Sequence, residues 1–200
     1  APSLIYGPGF GPVNLVNVIH GGVTSGVVAL VPLYAANRYG INALDSGILL
    51  IAQGVAAIIV SIVATFALRR TGYRLPLYVG GVVTAAGLLL LALSPVTGIQ
   101  PYAWLAGSAF LVGAGSGAIN PASRNAGLQL APERSSILAA LRTMSRQIGS
   151  MATISIATAV LASSNDPGGI QAWVYVVAAL LLVATLPLLI TRIPEHHGSW

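Results

Sequence analysis

Hydrophobic positions fill six long blocks of this chain, at about 12–39, 44–68, 75–93, 102–129, 133–162 and 170–193, and polar residues collect in the short gaps between them. A hydrocarbon core of ~30 Å takes ~20 helical residues to cross at ~1.5 Å each. Within that core the backbone must satisfy its own hydrogen bonds. The blocks therefore predict an all-α integral membrane protein, a single bundle of six transmembrane helices over residues 1–200.

The few polar positions inside the blocks set them apart from one another. The first block is the most polar, and Asn14, Asn17, Gly21 and Thr24 recur every three or four residues on one face, with His20 and Ser25 nearby. That face is predicted to look at protein or water. In the second, Gly47, Gly54 and Ser61 form a line of small residues with Gln53 beside it, a seam that lets helices approach closely in lipid. The third has only Tyr78 and Thr84 and is predicted to face lipid. The fourth holds Gly113, Gly115 and Gly117, then Asn120, Pro121 and Ser123. A proline there removes a backbone bond and is predicted to bend the helix. The fifth starts after Pro132-Glu133 and carries Arg142, Arg146, Gly149, Ser150 and Thr153 on one side, while the sixth is apolar apart from Tyr175 and Thr185. The sequence of polar, small-seamed and greasy blocks thus occurs twice, as expected of two inverted three-helix repeats.

Charge then orients the bundle. Arg69, Arg70, Arg74, Arg124, Arg134 and Arg192 fall at one end of the predicted helices, and Arg38 falls at the other with Asp45 and Asp166. Cations stay on the cytoplasmic side, so both termini are expected in the cytoplasm and the protein in the plasma or inner cell membrane. Charged residues make up 6% of the chain and mean hydropathy is +0.84, against ~25% charged in soluble domains. The arginines sit singly or in threes between apolar runs, so the net charge of +5 reflects topology and not a nucleic-acid surface. No cysteine is present, which excludes disulfides and thiolate metal sites. The sequence starts at Ala1, and residues 1–12 lack the basic start and apolar run of a signal peptide, so either a Met has been trimmed or an upstream portion is missing.

With this topology, the 69–74 loop, the Val31-Pro32-Leu33-Tyr34 stretch, Ser46-Gly47-Ile48-Leu49-Leu50, and Gly113 to Gly117 followed by Arg146-Gln147-Ile148-Gly149 together resemble one six-helix half of a major facilitator superfamily transporter. The half they resemble is the C-terminal one of the fourteen-helix drug/proton antiporters. In the loop motif Gly-x-Leu-Ala-Asp-Arg-x-Gly-Arg-Lys, Arg70 and Gly72 match, whereas Thr65 stands for the first Gly and Arg69 for the Asp. Losing that acid is expected of the degenerate second copy of the motif. Gly7 to Pro12 matches the opening of the antiporter motif Gly-x-x-x-Gly-Pro, but Val13 to Val16 lack its trailing glycines. The resemblance implies that the first and fourth helices line a path, the second and fifth face the other half, and the third and sixth face lipid.

Four groups of candidate residues follow. Asn14, Asn17, His20, Thr24, Gln53 and Asn120 are candidates for a substrate path, or they bond across helices. His20 is a candidate for proton or substrate handling, with a neutral histidine bonded to a neighbouring helix as the alternative. Arg142 and Arg146 are one helical turn apart with no acid at a matching depth, and Arg146 is expected to enter a cavity or interface or else to snorkel. Arg69, Arg70, Gly72 and Arg74 form the cytoplasmic loop motif. Gly113, Gly115, Gly117 and Pro121 serve packing or flexing of the helix, since no βαβ unit surrounds the glycines to make a dinucleotide site.

No HExxH, Walker loop, nucleophile elbow or paired carboxylates occur, and Asp45, Glu133, Asp166 and Glu195 all fall at loops or ends. The chain is therefore expected to be neither an enzyme nor a metal or cofactor protein. The function expected is half of a secondary transporter exporting small amphipathic molecules by alternating access, a multidrug-efflux type of activity. Its expected partners are the lipid bilayer, the substrate, and a missing N-terminal half or a second copy. The alternative is a non-transporting scaffold or regulatory module, favoured by the lack of a membrane-embedded carboxylate for proton coupling.

Overall fold

A computed structural model of the chain describes residues 10–72, 74–130 and 135–192; side chains at 10, 12, 13, 69, 126–130, 135 and 188–192 fall outside the description. The Gly7–Pro12 match, Tyr73, the Pro132-Glu133 pair, Arg134, Glu195 and the side chains of Arg69 and Arg192 thus lie wholly or partly outside the described residues. The elements are α1 (Phe10–Gly21), a π-helical turn (Gly22–Val27), α2 (Val31–Tyr39), α3 (Ala43–Thr71), α4 (Arg74–Ala92), α5 (Pro101–Leu130), α6 (Ser135–Ala162) and α7 (Pro167–Arg192). No strand occurs among the described residues.

The first predicted helix is broken. Widening to a π-turn at Gly22–Val27 is followed by a 45° bend before Val31. Pro32 explains the bend, since its ring cannot continue the preceding turn and its nitrogen donates no bond. At the break the Leu30 carbonyl accepts from the Tyr34 N–H at 3.0 Å and from Gln171 Nε2 of α7 at 2.7 Å. The second of these bonds ties the break to a neighbouring helix. Among the described residues four helices are long and apolar enough to cross a membrane, and the bent pair makes a fifth candidate. Helix α6 has 28 residues but carries Arg142 and Arg146 and is not among them.

Loop chemistry sets the ends. Gly40 closes α2 at φ 65°, and Asn42 caps α3 by accepting from the Asp45 N–H at 2.9 Å. Gly72 ends α3 at φ 67°, a conformation that a side chain disfavours, so the loop reverses direction here. At the opposite end of the bundle Arg38 donates to Ser94 Oγ and to the Gly168 carbonyl and lies over the rings of Tyr34 and Tyr39. It pins three turns together.

Helix α5 lies between α3 and α4, α4 also packs on α7, and α1 with the π-turn packs on α6. The glycine run explains the first of these contacts. Gly113 and Gly117 lie four residues apart on one face, where an added methyl would strike the Gln53 and Ala57 carbonyls of α3. Gly115, on the opposite face, abuts Thr84 and Gly80 of α4. Pro121 sits within a helix that runs on to Leu130. On the other side of the bundle Gly149 of α6 meets the Val18 carbonyl of α1. Backbone-to-backbone approach of this kind replaces the hydrophobic drive that lipid cannot supply.

The Gly47–Gly54 line packs on no described residue, since a methyl on either would meet nothing within 4 Å. Helix α3 instead leans on α5 through Gln53 and Ala57, and its apolar window is only 17% buried against 44–50% for the other unbroken spans. Nor is the third predicted helix mainly lipid-facing. Half of the α4 window is buried, with Leu77, Leu88 and Leu91 inside and Leu75, Val79 and Val82 outside. Its small residues Gly80, Thr84 and Gly87 admit α5, a feature that hydropathy alone does not register.

Candidate functional site

A chain of polar side chains crosses the bundle interior from α1 to α5 and α6. Asn17 is buried on α1, and Ser123 Oγ of α5 donates to its Oδ1 at 3.1 Å. The same hydroxyl accepts from Arg142 Nε at 3.3 Å, and Arg142 Nη2 reaches the Asn120 carbonyl at 3.2 Å. One turn along α6, Arg146 Nη2 donates to Thr24 Oγ1 at 3.2 Å, and that hydroxyl donates to the His20 carbonyl at 2.6 Å. Thr24 stands in the π-turn, a distortion that re-aims side chains and is frequent at functional sites.

This network is cationic and incompletely bonded. His20 is 1% exposed, and neither ring nitrogen has a hydrogen-bond partner among the described residues. Arg146 Nη1 is buried without one as well. The described acids, Asp45 and Asp166, are engaged at the far end by Asn42 and by the Gly169 N–H. Groups of this kind are costly inside a membrane bundle.

Beside the network opens a cleft of about 470 Å³ lined by Ser61, Thr65 and Leu68 of α3, Asn120, Pro121, Arg124 and Asn125 of α5, and Arg142 of α6. Its size suits a small molecule. It lies toward the end of the bundle that carries Arg70 and Arg74, close to where α3 finishes.

The structure thus brings together Asn17, Thr24, Asn120, Arg142 and Arg146 with His20 beside them. Gln53 stays outside: it is half-buried on α3 with its backbone under Gly113, and no hydrogen bond among the described residues ties it to the network. Asn14 is half-buried on α1. Arg70 is exposed and Arg74 half-buried at the turn. Ser123 was recognised in sequence only as a polar residue of its helix, although its spacing of three from Asn120 puts both on one face. A second polar cluster went unseen. Gln171 Nε2 also bonds the hydroxyl of Tyr175, which stacks edge-on against Tyr34 at 5.0 Å, and the Tyr34 hydroxyl donates to the Leu91 carbonyl at 2.9 Å.

Comparison with known proteins gives this arrangement its class. The family model of the Major Facilitator Superfamily matches residues 13–199, and the chain belongs to that family. No curated protein sequence matches it. Among solved structures it is similar to a bacterial homologue of the human drug peptide transporters PepT1 and PepT2, with TM-score 0.74, 16% identity, and coverage of 90% of this chain and 40% of that one. It is likewise similar to a D-xylose-proton symporter, with TM-score 0.71, 17% identity, and coverage of 92% and 47%. The chain therefore spans less than half the length of either structure, and at such identity the likeness is one of fold.

Proposed function

We propose that the chain is one half of a secondary active transporter that moves small amphipathic molecules by alternating access. In this reading six crossings form a single bundle of two inverted three-helix repeats: α1 with α2 counts as one crossing and α6 as another. Both termini lie in the cytoplasm of a cell that carries the protein in its plasma or inner membrane. The observation that carries the reading is the buried Asn17–Ser123–Arg142 chain beside an open cleft. A bundle held together only for packing would gain nothing from uncompensated guanidinium groups.

Alternating access rocks one bundle against another around a midplane site, so a second half or a second copy completes the path. The exposed apolar residues of α3 (Ile51, Ile58, Ile62) and α6 (Met144, Ile148, Met151) suit that contact. Export of drug-like substrates against protons follows from the antiporter resemblance, whereas the solved relatives named above are a peptide-transporter homologue and a sugar-proton symporter. His20, Asn120 and Arg146 are the residues proposed to handle substrate or proton.

A scaffold remains the second reading because the described acids lie at the far end, where they cannot couple protons to the cleft. The deciding experiment is transport by the intact protein in proteoliposomes, with and without an imposed pH gradient. Gradient-driven movement of any small amphiphile supports the carrier. A preparation that moves none, yet retains a partner membrane protein through purification, supports the scaffold.

A further inference from the structure

We propose that the cleft between α3, α5 and α6 selects an organic anion, whose carboxylate or phosphate oxygens lie between Arg124 and Arg142 while its apolar body rests on Leu68 and Pro121. This names a substrate class for the site above and rests on the transporter reading only as far as movement is concerned.

Two guanidinium groups from different helices line one cleft of about 470 Å³, and no acid is among its described lining residues. Arg142 is held in place before any ligand arrives, since Nε is fixed by Ser123 and Nη2 by the Asn120 carbonyl. A pre-set guanidinium loses little entropy on binding an oxyanion, and its planar fork suits two oxygens at once. Arg124 has no hydrogen-bond partner among the described residues and adds a second charge at the same opening. The Asn120 and Asn125 amides and the Ser61 hydroxyl are neutral donors. Like charges facing one low-dielectric space repel each other, and an anion removes that repulsion. A cationic drug would meet the reverse.

Anionic lipid headgroups share this chemistry, so the test separates the sources. The intact protein in phosphatidylcholine nanodiscs is heated with benzoate, 2-naphthoate or phenyl phosphate, and with the matched probes 2-naphthylmethylammonium and 2-naphthylmethanol. The expected result is a rise in Tm with at least one anion and none with the cation or alcohol. Arg124→Gln, which breaks no bond to a described residue, should weaken that anion by about tenfold, the scale of one lost charge-assisted contact. Arg142→Gln should weaken it more, with Arg142→Lys restoring part. If no anion shifts Tm more than the matched cation and alcohol, or if Arg124→Gln and Arg142→Gln both leave the shift intact, the proposal is overturned. A shift seen only when phosphatidylglycerol is added to the disc also overturns it, since the cleft then holds lipid. Flux of the same probes in proteoliposomes keeps the two claims apart. Anions bound but not moved contradict the transport reading alone, and a cation moved by a protein that ignores anions contradicts the anion proposal alone.

Discussion

Ser123 Oγ lies 3.3 Å from Arg142 Nε and 3.1 Å from Asn17 Oδ1, so a single hydroxyl joins three helices. It donates in one direction and accepts in the other, so its single proton is committed to Asn17. Ser123→Ala should lower stability by roughly 0.5–2 kcal/mol, the range for a buried bond to a charged group within a membrane bundle. Unfolding in mild detergent checks the stability, and flux in proteoliposomes should fall as Arg142 loses its orientation.

Gly149 is predicted to be intolerant, because the added methyl would fall on the Val18 carbonyl, a backbone group that cannot rotate away. Gly149→Ala should cost roughly 1–3 kcal/mol, whereas Gly54→Ala, with open space around it, should be neutral or slightly stabilising. Thermal unfolding of the two variants side by side tests this. A Gly149→Ala variant as stable as the parent would mean that α1 and α6 are not packed as described.

His20→Leu separates structure from function. Burial of a ring with two unbonded nitrogens is costly, so replacing it by an apolar side chain should raise Tm, by the equivalent of about 1 kcal/mol. Transport should fall in the same variant if the ring handles substrate or proton, the usual opposition between stability and activity at a working site. A variant that is more stable and fully active would make His20 a packing residue.

Gln171→Leu should loosen the break between α1 and α2. The Leu30 carbonyl and the Tyr175 hydroxyl would both lose Gln171 Nε2. A loss of roughly 1–3 kcal/mol is expected. Hydrogen exchange should quicken at the backbone amides of 28–31, and unchanged protection there would contradict the role given to Gln171.

Much of the fold was legible because the membrane imposes it. Apolar blocks too long for anything but spanning helices gave an all-α membrane fold, and the Arg70-x-Gly72 turn with Arg146-Gln147-Ile148-Gly149 pointed to the superfamily. The break at 28–30 was harder to see, because Pro32 also suits the first turn of a helix and nothing local foretells the Gln171 clamp 141 positions away. The neighbour of the seam at Gly47 and Gly54 was illegible for a related reason. Small residues permit close approach, but which face is approached depends on neighbours the sequence does not specify. At the site, Arg142 and Arg146 were conspicuous by rarity alone, whereas Ser61, Thr65 and Asn125 became visible only once α3 and α5 were placed beside α6.

The most direct measurement uses the absence of cysteine from these 200 residues. Ser61→Cys places a thiol on the cleft wall with little change in size. It can be labelled in sealed vesicles by a membrane-impermeant maleimide applied from one side at a time. A carrier redistributes between states as the driving force changes, so the labelling rate should change by at least ~fivefold between opposite imposed pH gradients or on adding 2-naphthoate. A rate that stays the same under every gradient and every ligand would contradict alternating access and leave a static membrane module.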